Sequence, residues 1–528
     1  MATTTAPRWP ERVDAERLDG LLGELSVPTD DGRDEIAVHQ PTTGAAVGSI
    51  PAATSDDLDA AFERARAAQS AWRERAPAER RAAAERLIEL VLDRREWLLD
   101  LIQLETGKAR IRAYEEVLDV AGTAGHYADR FESLLAPERV HGTVPVMMRA
   151  TVSREPYGVV GVIAPWNYPL TLAVSDALPA LLAGNAVVLK PDDKTPFTAL
   201  AAVRLCRQAG IPRDLFQVVT GRGPEVGPAL VDRSDYVSFT GSTATGREVA
   251  ARAGENLIDC SLELGGKNPL VVLDDADLDA AVEGAVRGCF SSAGQLCISF
   301  ERCYVQSGLH DAFLDAFAER VGSLELGGGF GYDVEMGCLL DEAQLEKVEA
   351  HVAEAVEAGA TVVTGGQRRP ELGPTFYEPT VLTDVPPDTA VAREETFGPV
   401  VTVEPFDDVD EAVARANDSA YGLNASVWTA DRARGRAVGE RIDCGTVNVN
   451  EAYATAWGTV GAPMGGMKDS GIGRRHGREG LLKYTQGKTI AEQRYHPFAP
   501  SRWLPPTRFV RLTTAGLRLL RRLPRGLR

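Results

Sequence analysis

The strongest structural signal in the chain is the stretch Gly158-Val159-Val160-Gly161-Val162-Ile163-Ala164, followed directly by Pro165. A short, continuous apolar run of this kind is typical of a fully buried parallel strand, and proline ends it. Three similar runs follow at Ala186–Leu189, Phe216–Val219 and Tyr236–Phe239. Helical patterns of about 10 to 15 residues lie between them, which predicts βαβ units and a parallel sheet.

The same alternation recurs further along the chain and predicts a second α/β domain. Apolar runs at Pro269–Leu273 and Arg302–Val305 flank a helical pattern near Leu278–Gly288. With 528 residues the chain is too long for a single hydrophobic core, so more than one domain is expected. Upstream, the segment from Ser55 to about Arg94 predicts two amphipathic helices that are separated near Pro77.

Composition and charge exclude several classes of protein. The chain carries a net charge of −19, but residues 493–528 hold nine arginines and no acidic residue, so residues 1–492 carry −28. Such an acidic body is a poor ligand for nucleic acid, and no nucleic-acid partner is expected. The seven cysteines and seven histidines lack metal-site spacing, so no metal is expected. The first residues contain no apolar signal-peptide core, and we expect a cytoplasmic protein.

Two glycine-bearing motifs carry the chemistry. One is Glu263-Leu264-Gly265-Gly266-Lys267-Asn268-Pro269, and the other is Phe290-Ser291-Ser292-Ala293-Gly294-Gln295-Leu296-Cys297. A thiolate at Cys297 can attack a carbonyl group, and a carboxylate at Glu263 can activate the water that later releases the product. A cysteine in an apolar stretch is by itself more often a core residue, so the prediction depends on the two motifs together.

Both motifs and their spacing resemble the aldehyde dehydrogenase superfamily, and the resemblance extends from about residue 35 to residue 492. It implies an α/β protein with the aldehyde dehydrogenase fold: a Rossmann-like cofactor domain, an α/β catalytic domain and a small β oligomerisation element. The expected boundaries are 1–137 and 154–262 for the NAD(P)-binding domain, 263–465 for the catalytic domain, 138–153 and 466–492 for the oligomerisation segments, and 493–528 for a basic tail. A homodimer or homotetramer is also expected.

The resemblance also implies a catalytic set of Cys297, Glu263 and Asn167. Asn167 lies in Pro165-Trp166-Asn167-Tyr168-Pro169, immediately after a predicted strand, where ligands bind in open α/β sheets. Its amide can donate a hydrogen bond to a developing oxyanion. A lone asparagine in a turn more often bonds only to the surrounding loop. A non-catalytic nucleotide-binding protein on the same fold would be expected to have lost one of the three residues.

The cofactor implied by the resemblance is NAD, with NADP possible. The corresponding cofactor-binding residues are Ala164, Pro165, Trp166, Lys190, Asp193, Gly223, Gly241, Ser242, Glu395 and Phe397. Lys190 is expected at the adenosine ribose, where a carboxylate at Asp193 favours a free 2′-hydroxyl over a 2′-phosphate. Ser242 is expected to contact phosphate, although it is also a good helix N-cap. Glu395 and Phe397 are expected at the nicotinamide half.

Within the family the chain looks most like the succinate-semialdehyde dehydrogenase branch, particularly its second, actinobacterial type. The resemblance therefore implies oxidation of a small aldehyde, with succinate semialdehyde favoured. Better-known enzymes of that branch hold the substrate carboxylate with two arginines, and those positions correspond here to Ser175 and Ser291. A broad-range dehydrogenase of neutral aliphatic or aromatic aldehydes is therefore the alternative.

The C-terminal tail lies outside the resemblance. On a helix its arginines (508, 511, 518, 521, 522 and 525) fall on one side, and Phe509 with leucines 512, 519, 520 and 523 falls on the other. Such a helix can bind an anionic membrane surface. Alternatively it can dock onto the acidic body of its own or a neighbouring subunit, or it can remain disordered.

Overall fold

The computed structural model describes residues 6–29, 32–142, 147–494 and 498–522. Its α-helices, in chain order, are α1 (Ala15–Leu22), α2 (Ser55–Trp72), α3 (Pro77–Asp93), α4 (Arg95–Thr106), α5 (Arg110–Leu135), α6 (Pro169–Val174), α7 (Ala177–Leu182), α8 (Pro196–Gln208), α9 (Gly223–Arg233), α10 (Thr243–Glu255), α11 (Leu278–Phe290), α12 (Ser307–Gly322), α13 (Glu342–Glu357), α14 (Ala390–Arg393), α15 (Val409–Asn417), α16 (Arg432–Gly439), α17 (Ala454–Gly458), α18 (Gly477–Leu482) and α19 (Pro506–Leu520).

The strands of the described ranges follow the same order. They are β1 (Glu35–His39), β2 (Ala46–Pro51), β3 (Glu138–His141), β4 (Met148–Pro156), β5 (Val159–Ile163), β6 (Ala186–Lys190), β7 (Phe216–Val218), β8 (Tyr236–Thr240), β9 (Asp259–Glu263), β10 (Asn268–Val272), β11 (Phe300–Gln306), β12 (Thr361–Thr364), β13 (Thr380–Thr383), β14 (Val400–Phe406), β15 (Tyr421–Gly422), β16 (Asn424–Trp428), β17 (Thr446–Val449), β18 (Met467–Lys468), β19 (Gly471–Ile472) and β20 (Thr485–Gln493).

The first large sheet has six strands in the order β19-β9-β8-β5-β6-β7. Strands β5 to β9 are parallel, and the short β19 pairs antiparallel with β9 at the edge. The four apolar runs predicted as strands are therefore neighbours in one parallel sheet. The two predicted helices before it are α2 and α3, with a Thr54–Asp57 capping box at the start of α2 and Pro77 as the first residue of α3.

The second large sheet has seven strands in the order β12-β13-β14-β11-β10-β16-β17, and only β12 pairs antiparallel. The predicted strand–helix–strand unit is β10, α11 and β11, and its two strands are adjacent and parallel. The two sheets meet through one short turn, because Glu263 is the last residue of β9 and Asn268 is the first residue of β10. The turn between them holds the first catalytic motif.

A third sheet, of three antiparallel strands in the order β20-β4-β3, stands apart from the other two. Its register joins Thr485 to Pro156 and continues without interruption to Gln493 opposite Met148. Every residue of β20 after Thr485 is exposed.

The tail forms the predicted helix, α19, but that helix is not covered by the rest of the described chain. Val510, Leu512 and Leu519 are each more than half exposed, and Trp503 just before the helix is 80% exposed. Docking onto the body of the same subunit is therefore not observed. Leu523 and Arg525, which belong to the predicted pattern, lie outside the described residues. Within the described ranges, no helix combines the length and apolar character needed to cross a membrane.

Candidate active site

Cys297 follows a strained loop that other parts of the chain hold in place. Ser292 and Ala293 have φ values of 51° and 55°, and Gly294 has a φ of 71°. A side chain at Gly294 would place a Cβ 2.0 Å from the carbonyl oxygen of Gly398, so only glycine fits there. The carbonyl of Cys297 accepts a hydrogen bond of 2.8 Å from the Asn268 amide. Strain of this kind is commonly found next to reactive groups.

The Cys297 thiol is held mainly in its protonated form in the free protein. Burial, followed by the nearby carboxylates of Glu395 and Glu263, raises its pKa to about 12, and Arg475 acts in the opposite direction. The thiolate therefore has to form as the substrate is attacked, when a base takes the proton.

Glu263 is a buried carboxylate without a fixed partner. Its Oε1 atom has no hydrogen-bond partner among the described residues. Burial raises the pKa of Glu263 to about 7, while Arg475 and Lys483 lower it. A carboxylate with a pKa near neutrality can accept a proton at physiological pH, as a general base must.

Asn167 follows β5 and points towards the Cys297 loop. Its Nδ2 donates a hydrogen bond of 3.1 Å to the carbonyl of Gln295, which uses one of its two amide N–H groups. Its own carbonyl accepts a hydrogen bond of 2.6 Å from the Nζ of Lys108. The first contact orients the side-chain amide, and the second holds the backbone of Asn167.

The Lys108 contact belongs to a buried ion pair that the sequence analysis missed. Lys108 Nζ lies 2.8 Å from Glu116 Oε1, and both side chains are almost fully buried. Glu116 also accepts hydrogen bonds from the backbone N–H groups of Leu170 and Thr171, in the first turn of α6. A lysine directly after Gly107, the residue that ends α4, would be expected in solvent, and only the close packing of α5 and α6 buries it.

The predicted catalytic side chains meet in one cavity of about 200 Å³. Its wall includes Asn167, Glu263 and Cys297, the three predicted catalytic residues, together with Glu395 and Phe397. A thiol, a carboxylate and an amide donor on one wall can support nucleophilic attack on a carbonyl, stabilisation of the oxyanion and later hydrolysis.

The segment from Glu395 to Phe397 closes this cavity on one side. Glu395 Oε1 accepts a hydrogen bond of 2.7 Å from the Gly266 N–H, and burial raises the pKa of Glu395 to about 7. Phe397 has a φ of 55° and meets Trp166 edge-on, with 5.5 Å between the ring centroids. The carboxylate of Glu301 accepts the N–H groups of residues 396 and 397 and pairs with Lys267 in the core. The sequence around Lys267 and Glu301 carries no signal for this buried pair.

A second cavity, of about 650 Å³, adjoins the first. Seven of the ten predicted cofactor-binding residues lie in its wall: Ala164, Pro165, Trp166, Lys190, Gly223, Gly241 and Ser242. Pro165, Trp166, Gly241 and Ser242 also line the smaller cavity, so the two cavities share a wall. The remaining predicted residues are Glu395 and Phe397, which line the smaller cavity, and Asp193.

Asp193 is absent from both sets of lining residues, and its neighbour Asp192 takes part in the larger cavity instead. Asp192 accepts a hydrogen bond from the Lys194 N–H, and burial raises its pKa to about 6. Lys190 is buried and donates to the carbonyl of Pro191, and burial lowers the pKa of its ammonium group. Ser242 acts as the N-cap of α10, since its hydroxyl accepts the Thr245 N–H.

Ser175 and Ser291, the positions of the missing arginines, are bonded within the protein. Ser175 donates a hydrogen bond of 2.6 Å to the carboxylate of Asp119. Ser291 donates to the carbonyl of Arg287 and accepts a hydrogen bond of 2.9 Å from the hydroxyl of Tyr453. Neither serine supplies a positive charge for a substrate carboxylate.

Comparison with known proteins identifies the family of this chain. The model of the "Aldehyde dehydrogenase family" matches residues 27–490. A Mycolicibacterium smegmatis protein named "Putative succinate-semialdehyde dehydrogenase (NADP+)" is 48% identical over 515 residues, which cover 98% of this chain and 99% of that protein. A Pseudomonas aeruginosa glutarate-semialdehyde dehydrogenase is 38% identical over 88% of this chain and 95% of its own length.

A solved structure shows the same relationship in three dimensions. The crystal structure of a Mycobacterium tuberculosis aldehyde dehydrogenase complexed with NAD+ is 38% identical, covers 89% of this chain and 96% of its own, and superposes with a TM-score of 0.84. The match of the family model over most of the chain, the sequence relatives and this structure lead to one conclusion. The chain belongs to the aldehyde dehydrogenase family.

Proposed function

We propose that this protein oxidises an aldehyde to its carboxylic acid through a thioester at Cys297, with NAD or NADP as the hydride acceptor. The observation that carries the proposal is the single small cavity whose wall contains Cys297, Glu263 and Asn167. Each residue has the chemical character that one step of the reaction requires.

In this proposal the thiol proton of Cys297 passes to solvent, and the thiolate adds to the aldehyde carbon. The Asn167 amide and the Cys297 backbone N–H donate hydrogen bonds to the resulting oxyanion. NAD or NADP, when bound, would supply the hydride acceptor needed for oxidation of the adduct to a thioester. Glu263 then takes a proton from water as the water attacks the thioester carbon, which releases the carboxylic acid and restores the thiol.

The adjoining cavity has a lining that suits a dinucleotide. It lies at the carboxyl ends of β5, β6 and β8, where ligands bind in open parallel sheets. Ser242 places the N-terminus of α10 at the cavity wall, which suits a pyrophosphate group. Lys190 would hold the adenosine ribose, and Glu395 with Phe397 the nicotinamide half. The carboxylates of Asp192 and Asp193 favour NAD, with NADP tolerated.

We propose that the substrate is a short aldehyde with a distal carboxylate, such as succinate semialdehyde. The names of the M. smegmatis and P. aeruginosa relatives support this class. Two arginines that line a cavity together with Ser291 do not strengthen it, because each already has a carboxylate partner: Arg112 pairs with Glu115, and Arg287 pairs with Glu451. We therefore expect weak binding of the distal carboxylate and measurable activity on neutral aldehydes.

A panel of aldehydes tests this function. We expect absorbance of reduced cofactor with succinate semialdehyde, glutarate semialdehyde and hexanal, and none with the Cys297→Ser variant. The loss of two charge-assisted contacts, each worth about 1.5–3 kcal/mol, should keep the KM for succinate semialdehyde well above the low-micromolar range. Low-micromolar KM with no oxidation of hexanal would contradict the expected lack of a carboxylate clamp. No oxidation of any aldehyde would contradict the function itself.

We also propose that the protein is a homodimer or homotetramer. The exposed strand β20, with Ile490 54% exposed, leaves an unpaired sheet edge that a second subunit can cover.

The tail helix α19, with its arginines and exposed apolar side chains, is proposed to contact anionic membrane surfaces, and docking onto a neighbouring subunit is the competing outcome.

A further inference from the structure

A buried group of ionisable side chains lies outside the lining of the catalytic cavity. We refer to it as the Arg475 cluster, which consists of Asp119, Asp176, Arg475, His476 and Lys483. The side chain of each member is less than a tenth exposed. Neither the catalytic steps nor the cofactor site proposed above uses any of the five.

The members of the Arg475 cluster are close but poorly paired. Arg475 Nη2 lies 3.7 Å from Asp176 Oδ2, and Lys483 Nζ lies 3.6 Å from the other oxygen of Asp176. His476 Nε2 lies 3.9 Å from Asp119 Oδ1. All three distances exceed those of direct hydrogen bonds. An ion-pair cluster that served only stability would be expected to satisfy its members fully.

Several polar atoms here have no hydrogen-bond partner in the part of the chain that the structure describes. They are Arg475 Nε and Nη2, both ring nitrogens of His476, Lys483 Nζ and Glu263 Oε1. Glu263 lies against the segment that carries Arg475, because it pairs with Gly471 in the sheet and a Cβ at Gly465 would lie 3.0 Å from Glu263 Oε1. Gly465 adjoins Met464, whose backbone bonds to that of Arg475. Burial lowers the pKa of His476 to about 3, so its ring is neutral. Buried charged groups without hydrogen-bond partners lower the stability of the fold, and their presence points to a role in the adjoining site.

The backbone holds Arg475 firmly in place. Arg475 and Met464 exchange two backbone hydrogen bonds, of 2.7 and 2.8 Å. The next residue, His476, has a φ of 62°, a strained conformation that costs on the order of 1 kcal/mol or more. The N–H of Gly477 then bonds to the carbonyl of Val460 at 2.7 Å. The constrained backbone of residues 475–477 therefore holds the Arg475 guanidinium in the protein interior.

Arg475 interacts electrostatically with both catalytic groups. The carboxylates of Asp176, Asp119 and Glu263 and the thiol of Cys297 oppose the effect of burial and hold the pKa of Arg475 well above its usual range. In return, Arg475 lowers the pKa of Glu263 and of Cys297.

Other charged groups face the same two side chains. Lys483 and Arg474 also lower the pKa of Glu263, whereas Asp176 raises it. The main carboxylate that faces Cys297, apart from Glu263, is Glu395, which raises the pKa of the thiol. Arg475 acts on both catalytic groups.

We propose that Arg475 is a positioning residue that favours the anionic forms of Cys297 and Glu263, with Asp176 as the counter-charge that limits its effect. The part of this proposal that concerns turnover rests on the proposed function. The part that concerns the thiol does not, because it can be measured in the free protein.

The test is the rate at which iodoacetamide alkylates Cys297 at pH 8 without aldehyde or cofactor, followed by mass spectrometry of the peptides. Arg475→Gln should slow the reaction about tenfold, the effect of a one-unit rise in thiol pKa. Arg475→Lys should restore most of the rate, and Arg478→Gln, which removes an exposed arginine nearby, should change nothing. Cys260, a partly exposed thiol in the same molecule, is the internal control.

The double variant Asp176→Asn/Arg475→Gln removes the pair without leaving one charge alone, and it should also react slowly. If Arg475→Gln does not fold, the alkylation rate of the double variant is measured in its place. In turnover, Asp176→Asn should move the rise of kcat with pH to lower pH, and Arg475→Gln should move it to higher pH. Unchanged alkylation in folded Arg475→Gln or in the double variant, or an Arg475→Lys variant as slow as Arg475→Gln, overturns the proposal. Loss of aldehyde oxidation with normal alkylation would instead concern the proposed function.

Discussion

At the scale of single residues, the ionisation of Glu263 sets a pH dependence. Its pKa is raised to about 7, and only the ionised carboxylate can take a proton from water. We therefore expect kcat to rise as the pH increases through about 7 when hydrolysis of the thioester limits turnover. Steady-state rates between pH 5.5 and 9, in buffers of constant ionic strength, measure this. A flat profile would show that Glu263 does not act as a base in the slow step.

Cofactor choice is also decided by single side chains. If the carboxylate of Asp193 faces the adenosine ribose, Asp193→Ser should shift the ratio of kcat/KM values towards NADP, because a charge that repels a 2′-phosphate is removed. Asp192→Ser is the matched comparison, since Asp192 is the residue that lines the cavity. A larger shift from Asp192→Ser would assign the role to Asp192. A wild-type preference for NADP greater than tenfold would contradict our expectation.

At the scale of elements, the sequence predicted the strands that carry the site more reliably than the supports beneath it. The apolar runs that became β5, β6, β7 and β8 were identifiable because strands buried on both faces are almost entirely apolar. The catalytic motifs could be placed because they directly follow or precede such strands. The positions of Asp192 and Asp193 relative to the cavity depend on the local path of one loop, which composition and spacing do not determine.

Buried charged supports were the least predictable elements. In the sequence they look like surface residues, because isolated charged residues are rarely buried. They are Lys108, Glu116, Lys267, Glu301 and Arg475. Only the packing of segments far apart in the chain brings their partners together, as in the contact between Lys108 and the carbonyl of Asn167. The outward-facing apolar side of α19 was predicted as a pattern, but its partner could not be read from the chain.

The Lys108–Glu116 pair leads to a prediction at this scale. Lys108→Met leaves the buried Glu116 carboxylate without its cation and removes the contact that orients Asn167, at a cost of about 3–5 kcal/mol. We expect a lower unfolding temperature together with a reduced kcat. Arg432→Met, at an exposed arginine that begins α16, is the control and should match the wild type in both measurements. Unchanged stability of Lys108→Met would show that the pair does not support the site.

At the scale of the whole molecule, the acidic body and the basic tail have opposite charges. If α19 contacts membranes, the full-length protein should co-sediment with vesicles containing anionic lipid at low salt, and truncation at Pro500 should abolish this without changing thermal stability. Leu512→Ser and Arg511→Gln should each weaken co-sedimentation, because binding needs both faces of the helix. If the tail docks onto a neighbouring subunit instead, the full-length protein will not co-sediment and truncation will lower thermal stability.

Formation of a thioester at Cys297 and its hydrolysis with the help of Glu263 are separate stages, and the Glu263→Gln variant distinguishes them. Stopped-flow absorbance of the Glu263→Gln variant, mixed with cofactor and an aldehyde that the wild type oxidises, separates the two stages. We predict a rapid burst of reduced cofactor close to one equivalent per active site, followed by turnover far slower than that of the wild type. Wild-type steady-state turnover in this variant would contradict the account.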